Sequence, residues 1–152
     1  MRVTLLSLLV CAIALSTAAV AQPEQPFNRI AVTFDQPVQI SKDLTLQPGQ
    51  YVFKQIRTQS HQPNIFRIED NAGKQVGVTP PPSEAVYKTA NTGQAPPNNE
   101  VVLKQIGNTR YLDYIWFQGI QRGYHFAVAP KGEGQELVVN ENGKTGQQAK
   151  RE

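Results

Sequence analysis

The sequence predicts an all-β domain, a small antiparallel sandwich or partly open barrel of roughly seven or eight strands. Three observations carry this. Short stretches of alternating apolar and polar residues recur between residues 30 and 129. Gly and Pro turn signals separate them. No part of that region repeats apolar residues at a helical period.

The first 21 residues read differently. Arg2 begins a short positive region, and Leu5 to Val20 is almost wholly apolar. Ala19-Val20-Ala21 then places small residues where a signal peptidase reads them, just before Gln22 and Pro23. That layout predicts a cleaved secretory signal, cut between Ala21 and Gln22. The apolar run is short against a membrane span of roughly 20 residues. Membrane contact is therefore expected only through the signal before cleavage, and the processed protein is expected in the periplasm or outside the cell. Cys11 lies inside the apolar run behind Leu9 and Val10, not behind the small residues a lipoprotein signal uses.

Cleavage would leave 131 of the 152 residues, enough for one domain with one modest core. Those residues contain no cysteine. A disulfide, a thiolate nucleophile and a thiolate metal site are thereby excluded. The formal charge of +3 falls by one when Arg2 leaves. The remaining Lys and Arg are dispersed, from Arg29 and Lys42 to Arg110 and Arg122. Nucleic-acid binding needs clustered cations and is not expected.

Residues 22–29 form a polar, proline-broken, flexible lead, and the β-domain is placed at 30–129. Ile30, Val32 and Phe34 alternate on one strand face; Val38 and Ile40, then Leu44 and Leu46, continue the pattern. Gln47-Pro48-Gly49-Gln50 predicts a type II turn, with proline at its second position and glycine at its third. Tyr51 to Ile56 follows as a strand, with Tyr51 and Phe53 on one face. Ile65 to Glu69 and Gln75 to Thr79 read as strands joined by a hairpin at Asp70-Asn71-Ala72-Gly73. Pro80-Pro81-Pro82 ends that pair, because proline donates nothing to a ladder.

Residues 80–99 read as one long surface loop, mobile or contacting a ligand or partner. Glu100 to Ile106 and Thr109 to Phe117 read as strands joined at Gly107-Asn108. Strict alternation puts Leu112, Tyr114 and Trp116 on one face and Tyr111, Ile115 and Phe117 on the other. Tyr124, Phe126 and Val128 alternate beyond a loop. Residues 130–152 are polar apart from Leu137-Val138-Val139, and read as a disordered tail with a possible edge strand. Val52-Phe53-Lys54-Gln55-Ile56 also echoes Val102-Leu103-Lys104-Gln105-Ile106, by duplication or through the constraints any strand obeys.

Two segments resemble a group of short, uncharacterised secreted bacterial proteins. Leu44 to Tyr51 is similar to that group's hydrophobic–Pro–Gly–x–Tyr entry into a strand. Val101 to Gly107, continuing through Arg110-Tyr111-Leu112 to Ile115-Trp116, looks like its second hairpin. The resemblance covers most of 30–129 and implies an exported single β-domain. No activity is established for the group, and it carries no functional residues across. The long Pro/Asn loop at 80–99 departs from its pattern.

Chemistry-bearing residues are sparse. His61 sits in a polar loop; His125 lies on a strand between Tyr124 and Phe126. Pairing Phe117 with Gly123 would make Asp113 and His125 diagonal neighbours, able to orient an imidazole for base catalysis. Ser41, Ser60 and Ser83 lie outside any G-x-S-x-G elbow. No metal site or cofactor is expected: Asp70-Asn71 lacks the alternating carboxylates of a calcium loop, and no phosphate-cradling glycine loop occurs.

The surplus is aromatic. Tyr111, Tyr114, Trp116, Tyr124 and Phe126 are the candidate ligand or partner surface, against the alternative that they are core. The leading expectation is a non-catalytic exported β-domain of the cell envelope, binding a protein or small apolar ligand or acting structurally. The alternatives are a small-ligand carrier with a barrel cavity, and a small hydrolase using Asp113 and His125.

Overall fold

The computed structural model describes residues 28–56, 65–87, 96–141 and 145–147; of 84–87 and 145–147 only the backbone is described. The expected signal, its Ala21/Gln22 cut and His61 lie outside these residues. The fold is all-β, with two mostly antiparallel sheets that do not close into a barrel. A carrier built around a barrel cavity therefore has no barrel to rest on.

The first sheet has the order β1-β4-β5-β6, from β1 (Arg29–Phe34), β4 (Gly49–Ile56), β5 (Ile65–Asp70) and β6 (Gln75–Val78). Its inner face is the alternation expected from the sequence: Ile30, Val32 and Phe34, then Phe53, then Phe66 and Ile68, all buried. The β5–β6 hairpin forms at the predicted place. Asp70 Oδ1 accepts hydrogen bonds from the Ala72 and Lys74 amides, both at 2.9 Å. Gly73 takes the left-handed φ of 77° that the turn requires.

The predicted type II turn is absent. Gly49 has φ 158°, not the about +80° of that turn's third position. Gly49 instead opens β4 opposite Phe34, and the chain passes at this corner from one sheet to the other. Tyr51 secures the corner by donating its hydroxyl to Gln47 O at 2.9 Å.

The second sheet has the order β12-β11-β8-β9-β10-β7. It contains β7 (Glu84–Tyr87), β8 (Glu100–Ile106), β9 (Thr109–Trp116), β10 (Arg122–His125), β11 (Gln135–Asn140) and β12 (Thr145–Gln147). The short β2 (Val38–Ser41) and β3 (Leu44–Leu46) pair with each other, and β2 also runs parallel to the start of β9. The strand count among the described residues exceeds the expected seven or eight, because several strands are only three or four residues long.

Three strands, β7, β11 and β12, fall in segments read as irregular. β7 lies inside the expected 80–99 loop and pairs with β10. β11 lies in the expected tail and is not an edge: it pairs with β8 on one side and β12 on the other. Leu137 and Val139 point inward from it and are 4% and 2% exposed. Local composition underrates this segment because its partner, β8, is about thirty residues away in sequence.

β9 departs from strict alternation. Val102 pairs with Tyr114 but Leu103 pairs with Leu112, so Asp113 is an extra residue on β9. A bulge of this kind shifts the facing of everything beyond it. Leu112, Ile115 and Phe117 consequently share the core face, while Tyr111, Tyr114 and Trp116 lie on the outer face. This corrects the expected grouping of Leu112 with Tyr114 and Trp116.

The sheets meet through aromatic packing. Phe66 of β5 lies 5.9 Å from Phe117, 5.3 Å from Tyr124 and 6.0 Å from Phe126, ring centre to ring centre. One polar contact crosses the same interior: buried Gln55 donates to Tyr124 Oη at 2.8 Å and accepts from Asn28 Nδ2. A buried amide needs such partners, since an unsatisfied one costs roughly 1–3 kcal/mol.

Candidate functional site

The structure divides the five aromatic candidates. Tyr124 and Phe126 point into the core and are 8% and 0% exposed. Tyr111, Tyr114 and Trp116 occupy the outer face of the second sheet, the two tyrosines half-buried and Trp116 only 7% exposed. Trp116 lies against Gly123, its partner across the β9–β10 ladder. Tyr114 stacks on Trp116 with ring centres 6.1 Å apart and planes 23° apart. His125, directly opposite Tyr114, stacks on it at 4.7 Å and 24°. Three nearly parallel rings therefore line up across two strands. Among the described side chains, the one large hydrophobic group strongly exposed is Val78, on the other sheet.

The Asp113–His125 contact forms, by a different route from the one expected. Trp116, not Phe117, pairs with Gly123, and the bulge brings Tyr114 and Trp116 onto the same outer face as Asp113. His125 Nε2 lies 3.4 Å from Asp113 Oδ1. Asp113 is 7% exposed. Burial pushes its carboxyl above the ordinary carboxylate range; His125 and Lys104 pull it back down and Glu136 pushes it further up.

The other imidazole nitrogen has a partner that sequence reasoning did not connect to it. Ser83 Oγ lies 3.0 Å from His125 Nδ1 and 3.1 Å from His125 O. The Ser83 amide also donates to His125 O at 2.8 Å. Ser83 follows Pro80-Pro81-Pro82, which carries the chain from the first sheet to the second. Thr79 anchors the near end of this strap. Its amide donates to Phe66 O at 2.8 Å, and its hydroxyl accepts from the Phe66 amide at 3.1 Å. Prolines restrict the backbone between the two anchors. The strap thus holds Ser83 in place, and Ser83, His125 and Asp113 form a continuous chain of polar contacts.

A groove of about 410 Å³ runs over the outer face of the first sheet, lined by Arg29, Thr33, Lys54, Glu69, Asp70 and Glu141 among others. Its buried carboxylate is already paired: Glu69 bonds Lys54 and lies 3.0 Å from Arg67 Nε. No group of three metal-ligating side chains occurs among the described residues.

No family model, curated protein or solved structure matches this chain.

Proposed function

We propose that the chain is an exported binding module of the cell envelope, with its ligand face on the outer side of the second sheet around Tyr114 and His125, and the buried Trp116 stacked beside Tyr114. The single observation that supports this most is the run of three nearly parallel rings beside a hydroxyl and a carboxyl. A flat ring takes up the apolar face of a ligand, and polar groups at its border fix the ligand's orientation. The hydroxyl and carboxyl flanking the imidazole turn the reading away from the purely apolar ligand expected from sequence. The ligand class that fits is a hydroxyl-rich ring compound such as a sugar.

Export rests on the layout of residues 1–21 and on the resemblance to secreted bacterial β-domains. One sample tests both parts. Protein purified from its native host should have an intact mass that begins at Gln22. Titrated with soluble glycan fragments, it should show a saturable change in the emission of Trp116, the only tryptophan in the chain. An emission spectrum unmoved by any fragment would remove the ring-face reading. An uncleaved N-terminus would remove export as stated.

A further inference from the structure

We propose that Ser83, His125 and Asp113 form a nucleophilic relay that opens small carboxylic esters, with Ser83 as the attacking group. The proposal goes beyond ligand binding at the ring face and does not depend on it.

The geometry supplies the three parts such a relay needs. The hydroxyl of Ser83 is 3.0 Å from an imidazole nitrogen, within reach for proton transfer. The opposite nitrogen faces a buried carboxyl at 3.4 Å. Ser83 itself is exposed, so an ester can approach it from solvent. The ring of His125 is held by Tyr114 stacked at 4.7 Å, and Ser83 is held by the anchored proline strap. Nucleophile and base thus belong to separate, constrained elements.

The nitrogens are used in the reverse sense from the best-known serine hydrolases: Nδ1 faces the hydroxyl and Nε2 the carboxyl. A relay is recognised by geometry and roles, and an imidazole can pass a proton from either nitrogen. With Asp113 ionised, Nε2 carries the proton toward the carboxylate. Nδ1, unprotonated in that tautomer, then accepts the proton of Ser83. The hydroxyl hydrogen has a second acceptor in His125 O at 3.1 Å, so it turns from that carbonyl to Nδ1 before attack.

The step balances without a further reagent. Ser83 Oγ bonds to the ester carbonyl carbon as its proton passes to Nδ1. The bond from that carbon to the alkoxy oxygen breaks, and the proton leaves with the alcohol. Water then repeats the sequence on the acyl-serine, releasing the carboxylic acid and restoring the hydroxyl. The Ser83 amide is committed to His125 O and does not serve as an oxyanion donor. Loss of one such donor costs roughly 10²–10³ in rate. Slow turnover with readily detected covalent labelling is the expected signature.

The test treats the full chain with a fluorophosphonate and maps the adduct by peptide mass spectrometry, alongside hydrolysis of p-nitrophenyl acetate. Labelling should fall selectively on Ser83, about tenfold or more above the other serines, and be lost on unfolding in urea. His125→Gln should slow it by roughly 10²-fold. Asp113 acts through His125 and is a positioning residue: Asp113→Asn should lower kcat on the ester with KM unchanged. A wild-type protein without selective Ser83 adduct overturns the proposal, whatever the variants do. So does equal labelling in a folded His125→Gln protein. Neither result touches the Trp116 titration, which tests ligand binding alone.

Discussion

At Gly123, a Cβ atom would lie 2.4 Å from the Trp116 ring. The indole occupies the space that any other residue would fill, so the identity of residue 123 places the ring. Gly123→Ala should force the indole off the strand. The expected loss is about 1–3 kcal/mol, the usual cost of inserting a methyl group into a filled site, with a red shift in Trp116 emission. Urea denaturation and the emission spectrum check this; an unchanged midpoint and spectrum would show that the ring does not pack there. Nothing in the sequence marks this glycine, because its role depends on a partner strand. Ser83 was equally hidden: it is far from His125 in sequence, and the three prolines before it read only as a strand stop. The Asp113–His125 contact was legible as a possibility, since both residues lie on strands close in sequence.

Among the elements, β9 shows how one extra residue redirects a hairpin. Alternation alone puts Tyr114 on the same face as Leu112, and only the bulge at Asp113 separates them. Bulges leave little trace in a single sequence, so the aromatic surplus was legible but its division between core and surface was not. The bulged residue also has a pH signature. Burial raises the Asp113 carboxyl above its ordinary value of 3.8, so the folded protein holds that proton more tightly than the unfolded chain does. Stability should therefore decline as pH rises from about 3.8 through the raised value. Asp113→Asn lacks this penalty. Its stability relative to wild type should be nearly level below that window and improve as pH rises through it, read from urea midpoints across a pH series. A difference that instead moves against the Asn protein would mean that His125 and Lys104 outweigh the cost of burial.

Across the whole molecule, the all-β class was legible because strand alternation and turn residues are local properties. Both hairpin turns, at Asp70–Gly73 and Gly107-Asn108, also form as read. The assignment of strands to two sheets was not legible, since it depends on pairings between distant residues. The echoed segments illustrate the limit: Phe53 and Leu103, at matching places in β4 and β8, are both fully buried, yet in opposite sheets. β11 is the plainest case of a long-range partner overriding composition. Truncation after Gly134 would remove Leu137 and Val139 from the core and uncover the edge of β8. The expected loss is on the order of 3–6 kcal/mol at the usual value of a buried Leu or Val, enough to unfold a marginal domain. Thermal melting by circular dichroism checks this; a truncated chain with the melting temperature of the full chain would place β11 outside the cooperative unit.

β11 also sets a timetable for synthesis. It is read out after every strand of the first sheet and after β8, the inner strand it pairs with. A nascent chain from which β11 has yet to emerge can form its earlier hairpins, but its interior still lacks Leu137 and Val139.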